Sequence, residues 1–68
     1  YKFFEIVKAG FANPRKQLAN NLSRGLKIDI AETKKWMMSS KIDPKRRAET
    51  LRVKEWLLLA KDIASKGR

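Results

Sequence analysis

The spacing of the apolar residues is the feature that most constrains the fold of this chain. In residues 53–65 they recur at three- and four-residue intervals, as on one face of an α-helix. β-branched residues alternate with period two nowhere in the sequence, so strands are not expected. The apolar positions of this segment are Val53, Trp56, Leu57, Ala60, Ile63 and Ala64, widened by Leu58 and Leu59. We therefore predict that residues 53–65 form the most buried helix.

Two helices are predicted in the first half of the chain. The first covers residues 2–11, where Phe4, Val7 and Phe11 have the spacing of a stripe that faces the core. The second covers residues 14–26, because it opens on a proline, which suits the first helical position, after an asparagine that could cap it.

A third helix is predicted over residues 30–40, with Asp29 as its N-cap. Its expected inner edge is Ile30, Ala31, Met37 and Met38. Residues 40–51 are interpreted as a short helical turn before the last helix. Four short helices and one helical turn, joined by brief connections, predict an all-α fold, a small orthogonal bundle that forms a single domain over residues 1–68.

The charge of the chain indicates its class of partner. Seventeen Lys and Arg against seven Asp and Glu give a net charge of +10. Phosphate backbones and anionic membrane surfaces are the natural counterparts of such a charge, and a charge that serves only solubility stays open as an alternative. The longest apolar run, WLLLA, is far too short to cross a membrane.

The residues offer no arrangement for catalysis. The chain has no Cys and no His, so neither a disulfide nor a transition-metal site is expected, and no side chain suits a general base near neutral pH. The seven carboxylates are scattered singly, and the three glycines lie too far apart for a phosphate-binding loop. We therefore assign no catalytic, cofactor-binding or metal-binding residues, and expect no enzyme activity from these residues alone.

Basic side chains in two parts of the chain form the candidate binding site. One group follows the outer face of the second predicted helix at three- and four-residue spacing, and the other lies in the turn before the last helix. The candidate contacts for nucleic-acid phosphate are Arg15, Lys16, Asn20, Arg24, Lys27, Lys45 and Arg46. Asn20 could equally well be structural.

Two further residues near these clusters have alternative interpretations. Asn21 falls near the inner face of its helix, where we expect its amide to satisfy the backbone of a neighbouring loop rather than a ligand. Trp36 follows Lys34 and Lys35 and could stack on an unpaired base, but its helical spacing favours the core.

Two stretches of the sequence resemble a known family. "FFEIVKAGFANPRKQLANNL" and "IDPKRRAETLRVKEWLLLA" are similar to the C-terminal helical domain of the ribosomal RNA adenine dimethyltransferases, the KsgA-like family that acts on small-subunit rRNA. In the first stretch the matching residues are Phe11, Arg15, Lys16, Leu18, Asn20, Asn21 and Leu22. In the second they are Ile42, Asp43, Pro44, Arg47, Ala48, Glu49 and Leu51. Together the stretches cover more than half of the chain.

The resemblance implies that the chain is a fragment without an active site, an expectation that its start at Tyr1 rather than Met also favours. The parent enzyme would carry a Rossmann-like domain that binds S-adenosylmethionine and dimethylates adjacent adenosines at N6. The implied partners are small-subunit rRNA, or the immature small ribosomal subunit, and the enzyme's own N-terminal catalytic domain. The implied location is the cytoplasm, with no membrane involved.

The second stretch departs from the family pattern at two positions. The residue before "IDP" is often Gly in the family and is Lys41 here, which predicts a different turn geometry. The residue after "AETL" is often a capping Ser or Asp and is Arg52 here, so Thr50 is a possible substitute cap.

The resemblance also divides the three adjacent basic residues of this stretch. Arg47 matches the family pattern and is interpreted as structural, with Asp43, one helical turn earlier, as its partner. In a helical turn Lys45 and Arg46 cannot share a face with Arg47. They match no fixed family position, and we interpret them as pointing to solvent and to RNA, with pairing to Glu49 along the turn as the alternative.

Two other classes of function remain possible. A free-standing helix-turn-helix DNA-binding protein fits the small size and the basic charge. A structural docking domain would use the apolar area of Tyr1, Phe3 and Phe4 to pack on a partner domain.

Overall fold

The computed structural model of the chain describes the backbone of residues 3–66 and the side chains of residues 3–63. These residues form the helices α1 (Phe3–Gly10), α2 (Leu18–Leu26), α3 (Ile30–Ser39) and α4 (Val53–Lys66), with one 3-10 turn (Ala48–Thr50) before α4. No strand occurs in the part of the chain that the structure describes, and the predicted all-α bundle is confirmed. None of the described helices is long and apolar enough to cross a membrane.

The helices pack in a ring around one core. α1 and α3 each contact α2 and α4. The largest fully buried apolar side chains come from every helix and from the segment between α3 and α4; they are Ile6, Leu18, Leu22, Met37, Ile42 and Leu59. The predicted turn between the third and fourth helices is present, and it contributes Ile42 and Ala48 to the core.

Helix α1 faces the core with one large and two small residues rather than with its aromatic stripe. Ile6, Ala9 and Gly10 are buried, whereas Phe4 is 79% exposed and Phe11 is about half exposed. The predicted core position of Phe4 is therefore wrong. Tyr1 and Lys2, where the helix and the docking surface were predicted to start, lie outside the described residues.

The close approach of α1 to its neighbours explains this orientation. A Cβ built on Gly25 would lie 2.6 Å from the Cβ of Ala9, and one built on Gly10 would lie 2.5 Å from the ring of Trp56. Larger side chains do not fit at Gly10 and Gly25, so α1 has Ala9 and Gly10 at these contacts. Phe11 remains at the margin, where its ring stacks on that of Trp56 with 5.5 Å between centroids.

Helix α2 begins at Leu18, four residues later than the proline-based prediction. Asn13 does not cap a helix; its Oδ1 accepts from the Arg15 backbone N–H at 3.1 Å, and its carbonyl accepts from the Lys16 N–H at 3.0 Å. These bonds form a local turn, which is the alternative that asparagine side chains offer to helical backbone bonding. The proline therefore lies in a turn that carries Arg15 and Lys16 ahead of α2.

Helix α3 begins as predicted but presents a different inner face. The Asp29 Oδ2 accepts from the Ala31 N–H at 3.1 Å, which confirms the N-cap. Trp36 is buried and its Nε1–H donates to the Leu59 carbonyl at 2.9 Å, so the core interpretation of this residue is confirmed. The inner face consists of Thr33, Trp36 and Met37, while Ile30, Ala31 and Met38 are exposed, contrary to the prediction.

Burial of Thr33 explains why the inner face of α3 was mispredicted. Its Oγ1–H donates to the Asp29 carbonyl at 3.0 Å within the same helix, so the hydroxyl is satisfied without water. A hydrophobicity pattern does not register such a residue as a core position.

Helix α4 turns much of its apolar surface to solvent. Trp56, Leu59 and Ile63 are buried, but Val53, Leu57 and Leu58 are at least half exposed. The prediction that this helix is the most buried is therefore wrong at Val53, Leu57 and Leu58. The side chain of Ala64, predicted in the same stripe, lies outside the described side chains.

Two lysines follow helices in the left-handed conformation that glycine adopts most easily. Lys27 after α2 has φ 58°, and Lys41 after α3 has φ 62°. The Lys41 N–H donates to the Met38 carbonyl at 3.0 Å and the next N–H, of Ile42, to the Met37 carbonyl at 2.9 Å, which is the Schellman pattern. The turn before "IDP" therefore has the backbone conformation that glycine suits, although a lysine occupies it.

The left-handed backbone at this position predicts a stabilising substitution. Lys41→Gly should raise the free energy of unfolding by about 1 kcal/mol, because a side chain in this region costs energy that glycine does not. Thermal denaturation should show a rise in Tm of roughly 4–8 °C for a domain of this size. Lys41→Ala removes the same charge but keeps the Cβ, so it should give no such gain; an equal gain in both variants would contradict the explanation.

Candidate nucleic-acid interface

The outer face of α2 and the turn before it form one groove of about 500 Å³. Lys16, Asn20 and Arg24 line it at four-residue intervals, together with Asn13 and Asn21. The structure thus brings three of the predicted site residues onto one surface, although Lys16 precedes the helix rather than lying in it.

A second groove crosses the contact between α1 and α2 and extends this surface. Lys27 and Lys8 line it together with Glu5. Both grooves share Ala12 and Gly25, so they are adjacent. We call the polar side chains of this surface, Lys8, Lys16, Asn20, Arg24 and Lys27, the basic seam. Sequence reasoning missed Lys8, which belongs to a different helix.

The seam is formed by a stretch of chain without acidic residues. Between Glu5 and Asp29 the sequence contains no Asp or Glu. The same stretch contains Lys8, Arg15, Lys16, Arg24 and Lys27. Except for Glu5 at its edge, the seam therefore has no carboxylate from its own two helices, and such a surface attracts polyanions.

The buried side-chain amide of Asn21 fixes the backbone segments that carry the seam. It is 5% exposed, and its Nδ2 donates to the Gly10 carbonyl at 2.9 Å and to the Asn13 carbonyl at 2.8 Å. These two bonds tie α2 to the end of α1 and to the turn that carries Lys16. The predicted structural role of Asn21, satisfying the backbone of a neighbouring loop, is confirmed.

The second predicted cluster lies at the N-terminal end of α2. The Leu18 N–H, the first of α2, donates to the carbonyl of Arg46 at 2.8 Å. This bond places Arg46 beside the start of α2, which directly follows the turn of residues 13–16. The two basic groups, which lie some thirty residues apart in the sequence, are therefore neighbours in the fold.

The side chain of Arg46 is 31% exposed, and its guanidinium is paired within the protein rather than free in solvent. Its guanidinium forms a two-pronged ion pair with the Glu55 carboxylate, Nη1 to Oε2 and Nη2 to Oε1. Nη2 also donates to the Thr50 carbonyl, and Nε donates to the Thr50 Oγ1 at 3.2 Å. The prediction of a solvent-facing Arg46 is therefore wrong, and its guanidinium stabilises the turn and the start of α4.

Arg47 has the opposite placement from the predicted one. Its side chain is exposed, and no ion pair joins it to Asp43 among the described residues. Asp43 instead accepts from the Lys45 backbone N–H at 2.9 Å, in a turn. The prediction assumed helical geometry, but Arg47 is extended, with φ −103° and ψ 153°, and successive side chains of an extended chain point to opposite sides.

Glu55 also caps the N-terminal end of α4, for which the sequence suggested only Thr50 as a possible cap. Its Oε1 accepts from the Arg52 backbone N–H at 2.9 Å, as in the glutamate half of a capping box. Thr50 does not cap α4; its Oγ1–H donates to the Arg47 carbonyl at 2.7 Å. The guanidinium of Arg46, and next the N–H of Arg52, hold the pKa of the Glu55 carboxyl below its ordinary value of 4.5.

The remaining chemistry of the described residues is sparse. No group of three or more His, Cys, Asp or Glu that could hold a metal ion occurs among them. Both tryptophans are buried, so neither offers a face on which an unpaired base could stack. The seam presents exposed cations and the amide of Asn20, which are groups that bind phosphate and sugar oxygens.

Comparison with known proteins gives one consistent result. Over 62 residues the chain is 42% identical to the ribosomal RNA small subunit methyltransferase A of Dehalococcoides mccartyi strain BAV1, which covers 91% of this chain and 21% of the relative. The protein of that name from Alkaliphilus oremlandii is 42% identical over 65 residues, a match that covers 94% of this chain and 23% of the relative. The protein of that name from Bacillus cytotoxicus is 45% identical over 62 residues, a match that covers 85% of this chain and 21% of the relative.

The chain therefore spans about a fifth of the length of the curated relatives it matches. The similarity to this family, predicted from two sequence stretches, is confirmed over most of the chain. No family model and no solved structure matches it.

The role of Asn21 predicts a contrast between two adjacent residues. Asn21→Asp keeps the size of the side chain but loses both donated hydrogen bonds and places a carboxylate against two carbonyl oxygens. We expect a loss of roughly 3 kcal/mol in the free energy of unfolding, measured by urea denaturation. Asn20→Asp makes the same chemical change on the exposed neighbour and should stay within about 0.5 kcal/mol of the unaltered chain; equal losses in both would contradict this role.

The opposite placements of the two arginines predict a second contrast. At pH 7, Arg46→Gln should lower the free energy of unfolding by about 1–2 kcal/mol, because it removes a partly exposed ion pair and its hydrogen bonds. Arg47→Gln, which removes the same charge, should have little effect. Denaturation curves of the two variants at a series of pH values provide the measurement.

The lowered pKa of Glu55 determines how the difference in stability between Arg46→Gln and Arg47→Gln depends on pH. A carboxyl with a lowered pKa in the folded chain stabilises fully above its unfolded value, near pH 4.5, and this stabilisation is lost as the pH falls through the folded value. The difference between Arg46→Gln and Arg47→Gln should therefore narrow below about pH 4.5. A difference that is constant down to pH 2.5 would show that Arg46 does not act through Glu55.

Proposed function

Because this chain is related over nine-tenths of its length to the ribosomal RNA small subunit methyltransferase A proteins, we propose that it is the RNA-binding C-terminal domain of such an enzyme. In this proposal the chain positions small-subunit rRNA, and a separate N-terminal Rossmann-like domain binds S-adenosylmethionine and dimethylates adjacent adenosines at N6. The domain works in the cytoplasm on the immature small ribosomal subunit.

The basic seam is the observation that carries the proposal. It gathers four cations and one amide on the face where α1 and α2 meet, with a single carboxylate at the edge. A polyanion that contacts such a surface releases its counterions, which supplies affinity without reading sequence. The seam contains no aromatic side chain, so it suits RNA backbone better than unpaired bases.

The exposed phenylalanines of α1 support the second part of the proposal. Phe4 is 79% and Phe3 38% exposed, at the start of the described chain. Large apolar side chains that are exposed together favour contact with another domain. In this proposal they pack on the catalytic domain, so the docking interpretation is compatible with RNA binding.

A helix-turn-helix DNA-binding protein is the competing function, and one feature of the fold favours it. Helices α2 and α3 are joined by only three residues, 27–29, a length typical of that motif. However, the second helix of the motif should read bases, and the exposed face of α3 includes Ile30, Glu32 and Met38. The basic seam lies on the first helix, which favours backbone contact instead.

Paired substitutions in the seam test the proposal. Lys16→Gln combined with Arg24→Gln should weaken binding to a fragment of small-subunit rRNA and lower the slope of log Kd against log salt by about 0.7–0.9 per lost contact. Fluorescence anisotropy at several salt concentrations measures both quantities. Lys35→Gln combined with Lys61→Gln removes two exposed charges outside the seam and should change the slope little.

Two results would count against this function. An equal loss in the seam and control variants would show that only the net charge matters. Tighter binding to a specific DNA duplex than to the rRNA fragment, in direct competition, would favour the helix-turn-helix alternative.

A further inference from the structure

Helix α4 presents a mixed apolar and basic surface to solvent that lies outside the basic seam. In residues 53–63, the part of α4 whose side chains the structure describes, the exposed side chains are Val53, Lys54, Leu57, Leu58 and Lys61. The three apolar ones are 69%, 52% and 50% exposed in chain order. At about 100° per residue, all five lie within an arc of roughly 140° around the helix. They therefore form one surface, which we call the leucine–lysine face.

The two carboxylates of residues 53–63 are directed to other parts of the fold. Glu55 pairs with Arg46 and accepts from the Arg52 backbone N–H. Asp62 is half-buried and accepts from the Ser40 Oγ–H at 3.3 Å. The charges that α4 itself places on the leucine–lysine face are therefore those of its two lysines.

A groove between the end of α3 and α4 extends this face. It has a volume of about 500 Å³, and its lining residues are Ser39, Ser40, Lys41, Leu58, Lys61 and Asp62. Leu58 gives the groove an apolar side chain, and Lys41 adds a third exposed cation. The backbone of Lys41 is held by the hydrogen bonds that end α3. A groove edge that is already ordered loses less entropy when a partner binds.

The order of the side chains around α4 limits what can cover the face. The two lysines lie in the middle of the arc, with apolar side chains at both edges. Burying this face in lipid would bury the lysines as well, whereas a membrane-surface helix keeps its cations on its polar side. A second copy of the chain, bound about a two-fold axis, would set lysines against lysines. A partner with both apolar side chains and carboxylates matches the face.

We propose that the leucine–lysine face and its groove bind an acidic amphipathic helix of another protein. Such a helix would lay its apolar side chains on Val53, Leu57 and Leu58. Its Asp or Glu side chains would lie against Lys54 and Lys61. One helix covers less area than a stable complex needs, so the binding is transient, with a Kd of about 10–100 µM. This inference goes beyond the proposed function and does not depend on RNA binding.

The position of the groove favours another protein over the catalytic domain of the same enzyme. The proposed contact with that domain uses the phenylalanines of α1, and α4 meets α1 at Trp56, whose ring stacks on Phe11. The groove lies instead where α4 meets α3, at Ser40 and Asp62. Leu58 is about 160° from Trp56 around α4. A domain that packs on α1 therefore leaves the groove open.

Two synthetic peptides test the proposal. One is a helix of about 18 residues with Leu at three- and four-residue spacing and Glu beside the leucines, and the other has Gln in place of every Glu. Fluorescence anisotropy with the 68-residue chain at low salt should give a Kd about fivefold lower for the Glu peptide. Lys54→Gln combined with Lys61→Gln should abolish this preference.

Substitution of the leucines tests the apolar part of the face. Leu57→Ser combined with Leu58→Ser should weaken binding of the Glu peptide at least about tenfold. Ile30→Ser is the matched control, because Ile30 is an exposed apolar residue at the opposite end of α3 from the groove, and it should change the Kd little. Circular dichroism melts establish that each variant is folded.

Three results would overturn the proposal. Equal binding of the Glu and Gln peptides would remove the role of the lysines. Equal losses in the Leu57→Ser, Leu58→Ser variant and the Ile30→Ser control would show that binding is not specific to this face. Leucine-dependent binding to phosphatidylglycerol vesicles, or leucine-dependent dimerisation in sedimentation, that is stronger than binding to the Glu peptide would identify a different occupant.

A full-length relative distinguishes a separate partner from the enzyme's own domains. The match to the Alkaliphilus oremlandii protein covers 94% of this chain, so it includes the position of Leu58. A cysteine introduced at the aligned position of that enzyme should react with a maleimide as fast as in the unfolded protein. A blocked cysteine would show that the enzyme covers the face itself, which contradicts the proposal and leaves the RNA-binding function unaffected.

Discussion

The buried amide of Asn21 is the interaction on which the arrangement of this domain depends. One nitrogen bonds to the last residue of α1 and to the turn before α2, at 2.9 and 2.8 Å. Because these bonds fix the end of α1 against α2, Ala9 and Gly25 approach so closely that neither position accepts a larger side chain. The same bonds set the turn that holds Lys16 in line with α2, so packing and the basic seam have a common cause.

A second fixed point lies at the other end of α2, where Arg46 joins three segments. Its carbonyl receives the first N–H of α2, and its guanidinium holds Thr50 and Glu55 at the start of α4. This guanidinium therefore already has its hydrogen-bond partners within the fold. The second predicted basic cluster therefore stabilises the fold through Arg46, and its exposed cations are Lys45 and Arg47.

The sequence predicted those features that depend on local patterns. Helical periodicity predicted four helices, a cap signal predicted Asp29, and inner-face placement predicted that Asn21 binds backbone. The same periodicity aligned Lys16, Asn20 and Arg24. Features that depend on contacts between segments were not predictable. Close packing at Gly10 rotated the phenylalanines of α1 outward, and Lys8 joined the seam from another helix. The predicted roles of Arg46 and Arg47 were the reverse of those in the structure, because the backbone at Arg47 is extended rather than helical.

In the proposed function, α2 and the turn before it form the RNA surface of this domain. Amide chemical-shift mapping by NMR during titration with a small-subunit rRNA fragment tests it most directly, because each backbone N–H reports its own surroundings. We expect the perturbed amides to cluster in residues 13–28, and those of residues 57–63 in α4 to change little. Perturbations concentrated on the exposed face of α3 or of α4, with α2 unaffected, would contradict it.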